Sequence, residues 1–305
     1  MTVAIETRGL TKRYGDLVAV DHVDLLIEPG EVHGFLGPNG AGKTTTLKML
    51  LGLVAPTSGA ASVLGLAPGH PEALRRTGSM VESPAFYPYL SGRRNLELLA
   101  RYARVAHEAV DQALVQVGLD RRAADKFGTY SLGMKQRLGV AAALMKDPQI
   151  VIVDEPTNGL DPQGMRDMRE LIARLGEQGR TVILSSHVLG EVQDLCDRVT
   201  VIDHGKVLGQ GSVHELRGDA ELEVTAVPAD RALDVVRRVT GRAAVLRADG
   251  TIRVQVPAER AADIARAVVG TGLDLTGLRS VERELEDVFF EITGGRQKTK
   301  KKTHA

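Results

Sequence analysis

The sequence holds one cysteine, Cys196, and no tryptophan. A single thiol excludes an intramolecular disulfide and fits a reducing compartment. Set in LCDRV (195–199) beside a predicted strand, Cys196 reads as a small core residue rather than a nucleophile. Aromatic residues make up 3% of the chain, too few for the serial base stacking of many single-strand nucleic-acid binders. An excess of one charge is also lacking. Lys+Arg and Asp+Glu number 39 each, so no global field draws the chain to DNA or anionic lipid, and no nucleic-acid partner is expected. No stretch approaches the roughly 18 uncharged apolar residues of a membrane-spanning helix, and the start lacks the charged-then-apolar pattern of a secretory signal. Work at a membrane therefore calls for another protein that crosses it.

Glycine is abundant, at 33 residues, as tight turns and close backbone approaches in an α/β nucleotide-binding protein require. A length of 305 residues exceeds one ordinary core and predicts a large domain with a smaller one. Residues 3–7 and 18–27 alternate as strands, and 32–36 is a short apolar strand. A glycine-rich loop follows, then a helix from 43 to 53. Helical periodicity runs from 90 to 124, with Leu96, Leu99, Ala100 and Ala103 on one face and Val110, Ala113, Leu114 and Val117 on another. The apolar runs 150–153 and 182–184 read as doubly buried parallel strands, alternating with helices at 162–177 and 188–196. The segments 199–202 and 206–208 read as a hairpin. Beyond Gly218 the pattern changes to strand 222–227, helix 231–239, strands 243–246 and 252–256, and helix 261–269. The expected division is 1–218, a nucleotide-binding α/β domain; 219–294, a small α+β extension; and 295–305, a basic solvated tail that carries KTKKK at 298–302. Contact of that tail with anionic lipid, at about 1 kcal/mol per basic residue, is the alternative reading.

The chemistry begins at residues 37–44, GPNGAGKT, with Thr45 next. Two glycines flank four residues before Lys and Thr, after a predicted strand and opening a predicted helix. In this pattern Gly37, Gly40 and Gly42 let backbone N–H groups turn inward around phosphate oxygens, and Pro38, Asn39 and Ala41 complete the candidate cradle. The helix N-terminus adds partial positive charge. Lys43 can reach the β- and γ-phosphates, and Thr44 can offer its hydroxyl to Mg²⁺. A glycine-rich turn that binds nothing is the bland alternative, and the motif alone says only "nucleotide phosphate".

Residues 150–156, IVIVDEP, end an apolar strand in two acids. Such strands deliver side chains to the phosphate edge of a parallel sheet. Asp154 is then placed for Mg²⁺, and Glu155 is the candidate general base for an attacking water. Between the two motifs lies YSLGMKQR (130–137), which by itself reads as a helix start capped by Ser131.

With residues 131–136, SLGMKQ, the chain resembles the ATP-binding-cassette (ABC) family over residues 3–216. The resemblance implies an α/β phosphate-loop core with a β subdomain and a helical signature subdomain. It implies ATP with Mg²⁺ as cofactors. It also implies a pair of copies in which Ser131, Gly133 and Gln136 of one face the ATP of the other. Tyr14 falls where the family stacks an aromatic on adenine, an ordinary surface tyrosine being the alternative. Asp161, in NGLD (158–161), resembles the family's dimer-contact loop, and His187, in SSH (185–187), its switch histidine. The family's glutamine near Mg²⁺ is matched here by Glu82, an acid that could bind the metal but repels the γ-phosphate. That variation, and LEDVFFEIT at 285–293 with its stripe of Leu285, Val288, Phe289 and Ile292, is similar to bacterial exporters of the bacitracin-resistance and lantibiotic-immunity type. The stripe is expected to dock on its own domain rather than form a dimer contact.

The implied function is an ATP-hydrolysing subunit peripheral to the cytoplasmic face of the membrane, driving a separate permease and exporting a drug-, antibiotic- or lipid-like substrate. A non-transport ABC ATPase acting on ribosome, DNA or gene regulation is the alternative. A phosphate-loop kinase is argued against by the signature, and a GTPase by the lack of an NKxD-type guanine-reading segment.

Overall fold

The structure, a computed structural model, describes residues 3–218, 221–281, 286, 288 and 289. The chain divides into two compact units, Met1–Val213 and His214–Ala305. In the first, β1 (Ile5–Tyr14), β2 (Leu17–Ile27), β3 (Val32–Leu36), α1 (Lys43–Leu50), β4 (Ser58–Val63), α2 (Pro71–Arg75) and β5 (Thr77–Met80) precede a helical stretch. That stretch holds α3 (Gly92–Ala103), α4 (Glu108–Gln116) and α5 (Leu132–Leu144). The unit continues with β6 (Ile150–Asp154), α6 (Pro162–Glu177), β7 (Thr181–Ser186), α7 (Leu189–Leu195), β8 (Arg198–Asp203) and β9 (Lys206–Ser212), and α8 (Val213–Arg217) spans the division.

One sheet, in the order β5-β6-β7-β3-β8-β9, is parallel except for β9. Every residue of β3, β6 and β7 is buried, which explains their continuous apolar runs: helices cover both faces of a parallel sheet. The order sets β7 between β6 and β3, so three carboxyl ends lie side by side: Leu36 before the glycine-rich loop, Asp154, and Ser186 before His187. Loops at the carboxyl ends of adjacent parallel strands form the ligand crevice of such sheets. A second sheet, β2-β1-β4, is antiparallel, with register shifts along β1. Its β1–β2 hairpin, turning at Gly15 with φ 57°, ends on Tyr14 paired with Leu17.

The helix predicted to reach Leu53 stops at Leu50. Gly52 takes φ 72°, and the amide of Leu53 turns back to the Lys48 carbonyl at 2.9 Å, a left-handed glycine stop. The periodicity expected from 90 to 124 is two helices. Arg104, at φ 54°, ends α3, so Ala103 is exposed while Leu96 and Ala100 are buried. The face of Val110, Ala113, Leu114 and Val117 is buried as its spacing implies. β4, β5 and α2 are short and weakly patterned, and periodicity does not reveal them. Cys196 is buried, and burial pushes its thiol well above the usual range, as a core cysteine rather than a nucleophile requires.

The second unit adds β10 (Glu221–Val227), α9 (Ala229–Thr240), β11 (Ala244–Leu246), β12 (Ile252–Gln255), α10 (Ala261–Gly270) and β13 (Asp274–Val281). Its antiparallel order, β11-β12-β10-β13, with two crossover helices, is a split β-α-β arrangement. Leu222, Val224, Ala226, Ile252 and Val254 point into a core with Val236 of α9 and Ile264 and Val268 of α10. Strand period two then puts Glu223 and Arg253 on the opposite face. There Arg279 donates to Glu223 at 2.7 Å, and Arg253 approaches the same carboxylate at 3.7 Å. Val288 is buried and Phe289 half-buried, whereas Leu285, Ile292 and the basic tail lie outside the described residues.

Candidate functional site: the crevice at the phosphate loop

A cleft of about 410 Å³ is lined by Tyr14, Leu17, Val18 and Ala19 of the β1–β2 hairpin, by Asn39–Thr45, and by Glu155 and His204. The loop closes on itself at its base. Gly37 donates to the Ser186 carbonyl at 3.3 Å, and Ala41 to the Pro38 carbonyl at 3.1 Å. Gly42 caps α1 at φ 106°, a region L side chains rarely adopt, and a Cβ there would sit 2.4 Å from the Ala19 carbonyl oxygen. Among the described residues no side chain caps α1, so its first-turn amides face the cleft without a capping acceptor. That is the arrangement in which a helix N-terminus takes an anion.

Lys43 is 5% exposed, a burial a lysine tolerates only with partners. Its ammonium donates to the carbonyls of Gly37 (2.6 Å) and Pro38 (3.2 Å) and lies 3.1 Å from Glu155 Oε1, though without hydrogen-bond alignment at that oxygen. The cation is thus held inside the loop, pointed at the acid. The Thr44 hydroxyl donates to Asp154 Oδ2 at 2.7 Å. The other oxygen of Asp154 accepts from Ser185 Oγ. A hydroxyl and a carboxylate at a sheet edge are hard oxygen donors, the set that Mg²⁺ takes.

Glu155 has φ 48° and precedes a proline, a backbone state that is costly for a non-glycine residue and that its surroundings must enforce. Its amide donates both to the Ser185 carbonyl (3.2 Å) and to Ser185 Oγ (2.9 Å). The twist swings its carboxylate from strand β6 toward the neighbouring loop, where Oε2 meets His187 Nδ1 at 2.6 Å. Ser185 was not among the residues sequence reasoning singled out. The available signal is register: Ser185 pairs with Asp154 across β6 and β7, a hydroxyl at the end of an apolar strand.

The remaining predicted residues lie elsewhere. Glu82, at φ 66°, is exposed and paired with Lys48 of α1, not with Thr44 or Asp154. The Glu82 hydrogen bond and charge raise the Lys48 pKa. Ser131 caps α5, accepting from the Met134 amide at 3.2 Å. Gly133 and Gln136 follow on the same helix, Gln136 7% exposed with its Oε1 unpartnered. Asp161 caps α6 through the Gly164 amide at 2.9 Å. The start of α5 packs on the loop before α6: a Cβ at Gly159 would be 3.2 Å from Leu132, and one at Gly133 3.9 Å from Leu160. Ser131, Gly133, Gln136 and Asp161 thus form a second group, and none of them lines the Lys43 cleft.

A larger cleft, about 510 Å³, lies at the other end of the sheet, at Gln149 and Thr181. Its arginines are already occupied, Arg76 by Gln149 and Arg180 by Asp147 and the Pro148 carbonyl. The smaller cleft is the one that presents unengaged donors and a carboxylate together.

Residues 20–158 match the ABC transporter family. Over 302 residues the chain is 40% identical to the bacitracin transport ATP-binding protein BcrA of Bacillus licheniformis, covering 97% of this chain and 99% of that one. It is 41% identical over 223 residues to the Nod factor export ATP-binding protein I of Cupriavidus metallidurans, covering 71% and 73%. Among solved structures, an ATP-binding subunit of an ABC transporter superposes with a TM-score of 0.63 at 28% identity, covering 70% of this chain and 92% of that one. An ATP-binding cassette in a dimeric post-hydrolysis state with ADP and Pi superposes at 0.62 with 26% identity, covering 69% and 99%. Phosphate loop, acid pair and signature on a parallel α/β core, together with likeness along nearly the whole chain, make this protein a member of the ABC transporter family, an ATP-hydrolysing subunit of the kind that works with a membrane permease.

Proposed function

We propose that this chain is the motor of an exporter, acting as a head-to-tail pair of copies on a separate permease at the cytoplasmic face of the membrane. The observation that carries the reading is Glu155 held between Lys43 and His187 at the mouth of the phosphate loop. The adenine lies against Tyr14, whose ring already carries the Lys12 ammonium 5.1 Å from its centroid. The triphosphate lies in the loop from Gly37 to Thr45, where its γ-phosphate draws Lys43 away from the carbonyls that now hold it. Thr44 and Asp154 would hold Mg²⁺, which would neutralise charge developing on the transferred phosphoryl group. Glu155 orients the attacking water and accepts its proton as the oxygen–phosphorus bond forms and the bond to ADP breaks. His187 steadies that carboxylate. Ser131 and Gly133 of a second copy close over the γ-phosphate with their helix N-terminus, Gln136 being buried behind them rather than at the phosphate, and Asp161 couples the two sites. Glu82 would have to give up its pairing with Lys48 to join Thr44 and Asp154.

Export is supported by relatives named for bacitracin transport and Nod factor export, and pairing by the dimeric state of a cassette of the same fold. A drug-, antibiotic- or lipid-like substrate is the class these names favour. Among the described residues no helix is long and apolar enough to cross a membrane, and in this reading the path is supplied by the permease. Glu155→Gln in the full chain tests the scheme: hydrolysis is lost while ATP still drives dimerisation. Normal turnover in that variant sinks the base assignment, and failure to dimerise with ATP sinks the sandwich. Gentle solubilisation of a tagged chain should bring down a multi-span protein in stoichiometric amount.

A further inference from the structure

Glu191 is an acid with almost no exposure, 1%, and no part in the scheme above. It sits in the first turn of α7, four residues past His187. One of its oxygens, Oε2, accepts the Thr157 hydroxyl at 2.6 Å and the Ser186 hydroxyl at 3.1 Å. Thr157 lies two residues after Glu155, and Ser186 immediately precedes His187. The same Ser186 oxygen accepts the amide of Val188 at 2.9 Å, so it clamps both sides of the histidine. The other oxygen, Oε1, has no hydrogen-bond partner among the described residues, and the nearest cation, Arg169, is 3.7 Å away.

A buried carboxylate whose second oxygen has only a loose ion pair with Arg169 is an expensive way to fill space, since an apolar side chain of similar volume avoids the desolvation cost. What a carboxylate does that an apolar residue cannot is accept two hydroxyl donors at one atom. Here the two donors come from the two loops whose next functional residues, Glu155 and His187, must stay within 2.6 Å of each other. Glu155 is also the residue at φ 48°, a state that neighbouring contacts have to maintain. We propose that Glu191 is a positioning residue for ATP hydrolysis, a buried clasp that fixes the Thr157 and Ser186 loops and thereby the distance between Glu155 and His187. It touches neither nucleotide nor water. The inference rests on the roles proposed above for Glu155 and His187.

The test is a mutant cycle on the full chain with three readouts: kcat, KM for ATP, and thermal midpoint. Glu191→Ala, and separately the near-isosteric Thr157→Val, should each lower kcat by about tenfold or more, since small misplacements at a reacting centre cost up to about 100-fold, while KM stays within about twofold. Glu191→Gln, which keeps an acceptor oxygen, should retain more activity than Glu191→Ala. In a His187→Ala background, Glu191→Ala and Thr157→Val should add little further loss, because the relationship they guard is already gone. If Thr157→Val is stable and hydrolyses ATP at the normal rate, the clasp is overturned. Losses that multiply on top of His187→Ala, or that track the thermal midpoint and KM together, assign Glu191 to the fold alone and also overturn it. A full rate in His187→Ala itself refutes the underlying site assignment instead, so the two failures are told apart.

Discussion

The Glu155 carboxylate bridges two groups that approach from different loops: His187 Nδ1 at 2.6 Å from one oxygen and Lys43 Nζ at 3.1 Å from the other. Because β7 lies between β6 and β3, the loop carrying His187 stands between those carrying Glu155 and Lys43. The ammonium and the acid are expected to separate on mutation. Lys43→Met removes a point charge aimed at phosphates and should raise the ATP dissociation constant by at least about tenfold, the effect of losing about 1.4 kcal/mol. Glu155→Gln should leave binding near normal and lower kcat by about 10²–10⁴-fold, the range for a positioned general base. Equilibrium nucleotide binding and phosphate release distinguish them. A Glu155→Gln variant that loses affinity but not turnover contradicts the division of labour.

Ser185 carries a heavier hydrogen-bond load than its chemistry suggests. Its hydroxyl donates to Asp154, its oxygen accepts the Glu155 amide, and it is fully buried. Ser185→Ala leaves the buried Asp154 oxygen without its hydroxyl donor, at about 1–3 kcal/mol for the site, while the Glu155 amide keeps the Ser185 carbonyl as acceptor. Denaturant unfolding should register that loss. The Mg²⁺ concentration giving half-maximal ATPase should rise as well, because Asp154 loses the contact that fixes its orientation. An unchanged Mg²⁺ requirement in a destabilised protein would confine Ser185 to a structural role.

Much of the crevice, and of the separate Ser131 group, was legible because its chemistry is local in sequence. The loop at 37–44, the acids at 154 and 155, and the Ser131 cap each announce themselves within a few residues, and the structure gives them strand ends and helix starts. Strands β3, β6 and β7, buried on both faces, were equally plain. What the sequence hid depends on strand order. Nothing local says that Ser185 faces Asp154, that Glu191 collects hydroxyls from residues 157 and 186, or that Glu82 finds Lys48. The helix expected to reach Leu53 is shorter because the left-handed backbone of Gly52 stops it. β13 was missed because Leu275, Gly277 and Leu278 give no clean alternation, with a register shift against β10.

Gly42 and Gly179 provide a matched pair for the phosphate loop. Both have positive φ, 106° and 78°. A Cβ at Gly179 meets nothing within 4 Å, while one at Gly42 lands 2.4 Å from the Ala19 oxygen. Gly179→Ala should cost only the left-handed penalty, about 1–2 kcal/mol, with ATPase intact. Gly42→Ala adds a backbone clash on the cleft wall that the loop can relieve only by moving. It should lose more stability than Gly179→Ala and most of its nucleotide affinity. Equal stability losses with retained ATP binding would show that the loop accommodates the methyl group.

The second unit offers a pH test that needs no nucleotide. Burial pushes the Glu223 carboxyl upward, but the Arg279 hydrogen bond and charge, with Arg253, outweigh it and leave the pKa below the ordinary 4.5. A depressed pKa in the folded state means that folding favours the ionised form. The stabilising contribution is therefore complete above the ordinary glutamate range and is lost as pH falls through the lowered folded value. Glu223→Gln removes the charge that the two arginines face, and should unprotect the amides of 221–227 and 252–255 relative to wild type at pH 7. That difference should shrink as the pH is taken below 4.5, where the wild-type carboxylate itself protonates. Hydrogen exchange of the two chains compared at each pH reads this directly, because the intrinsic exchange rate cancels. A difference that persists undiminished at pH 3 would mean that Glu223 acts through shape and not through charge.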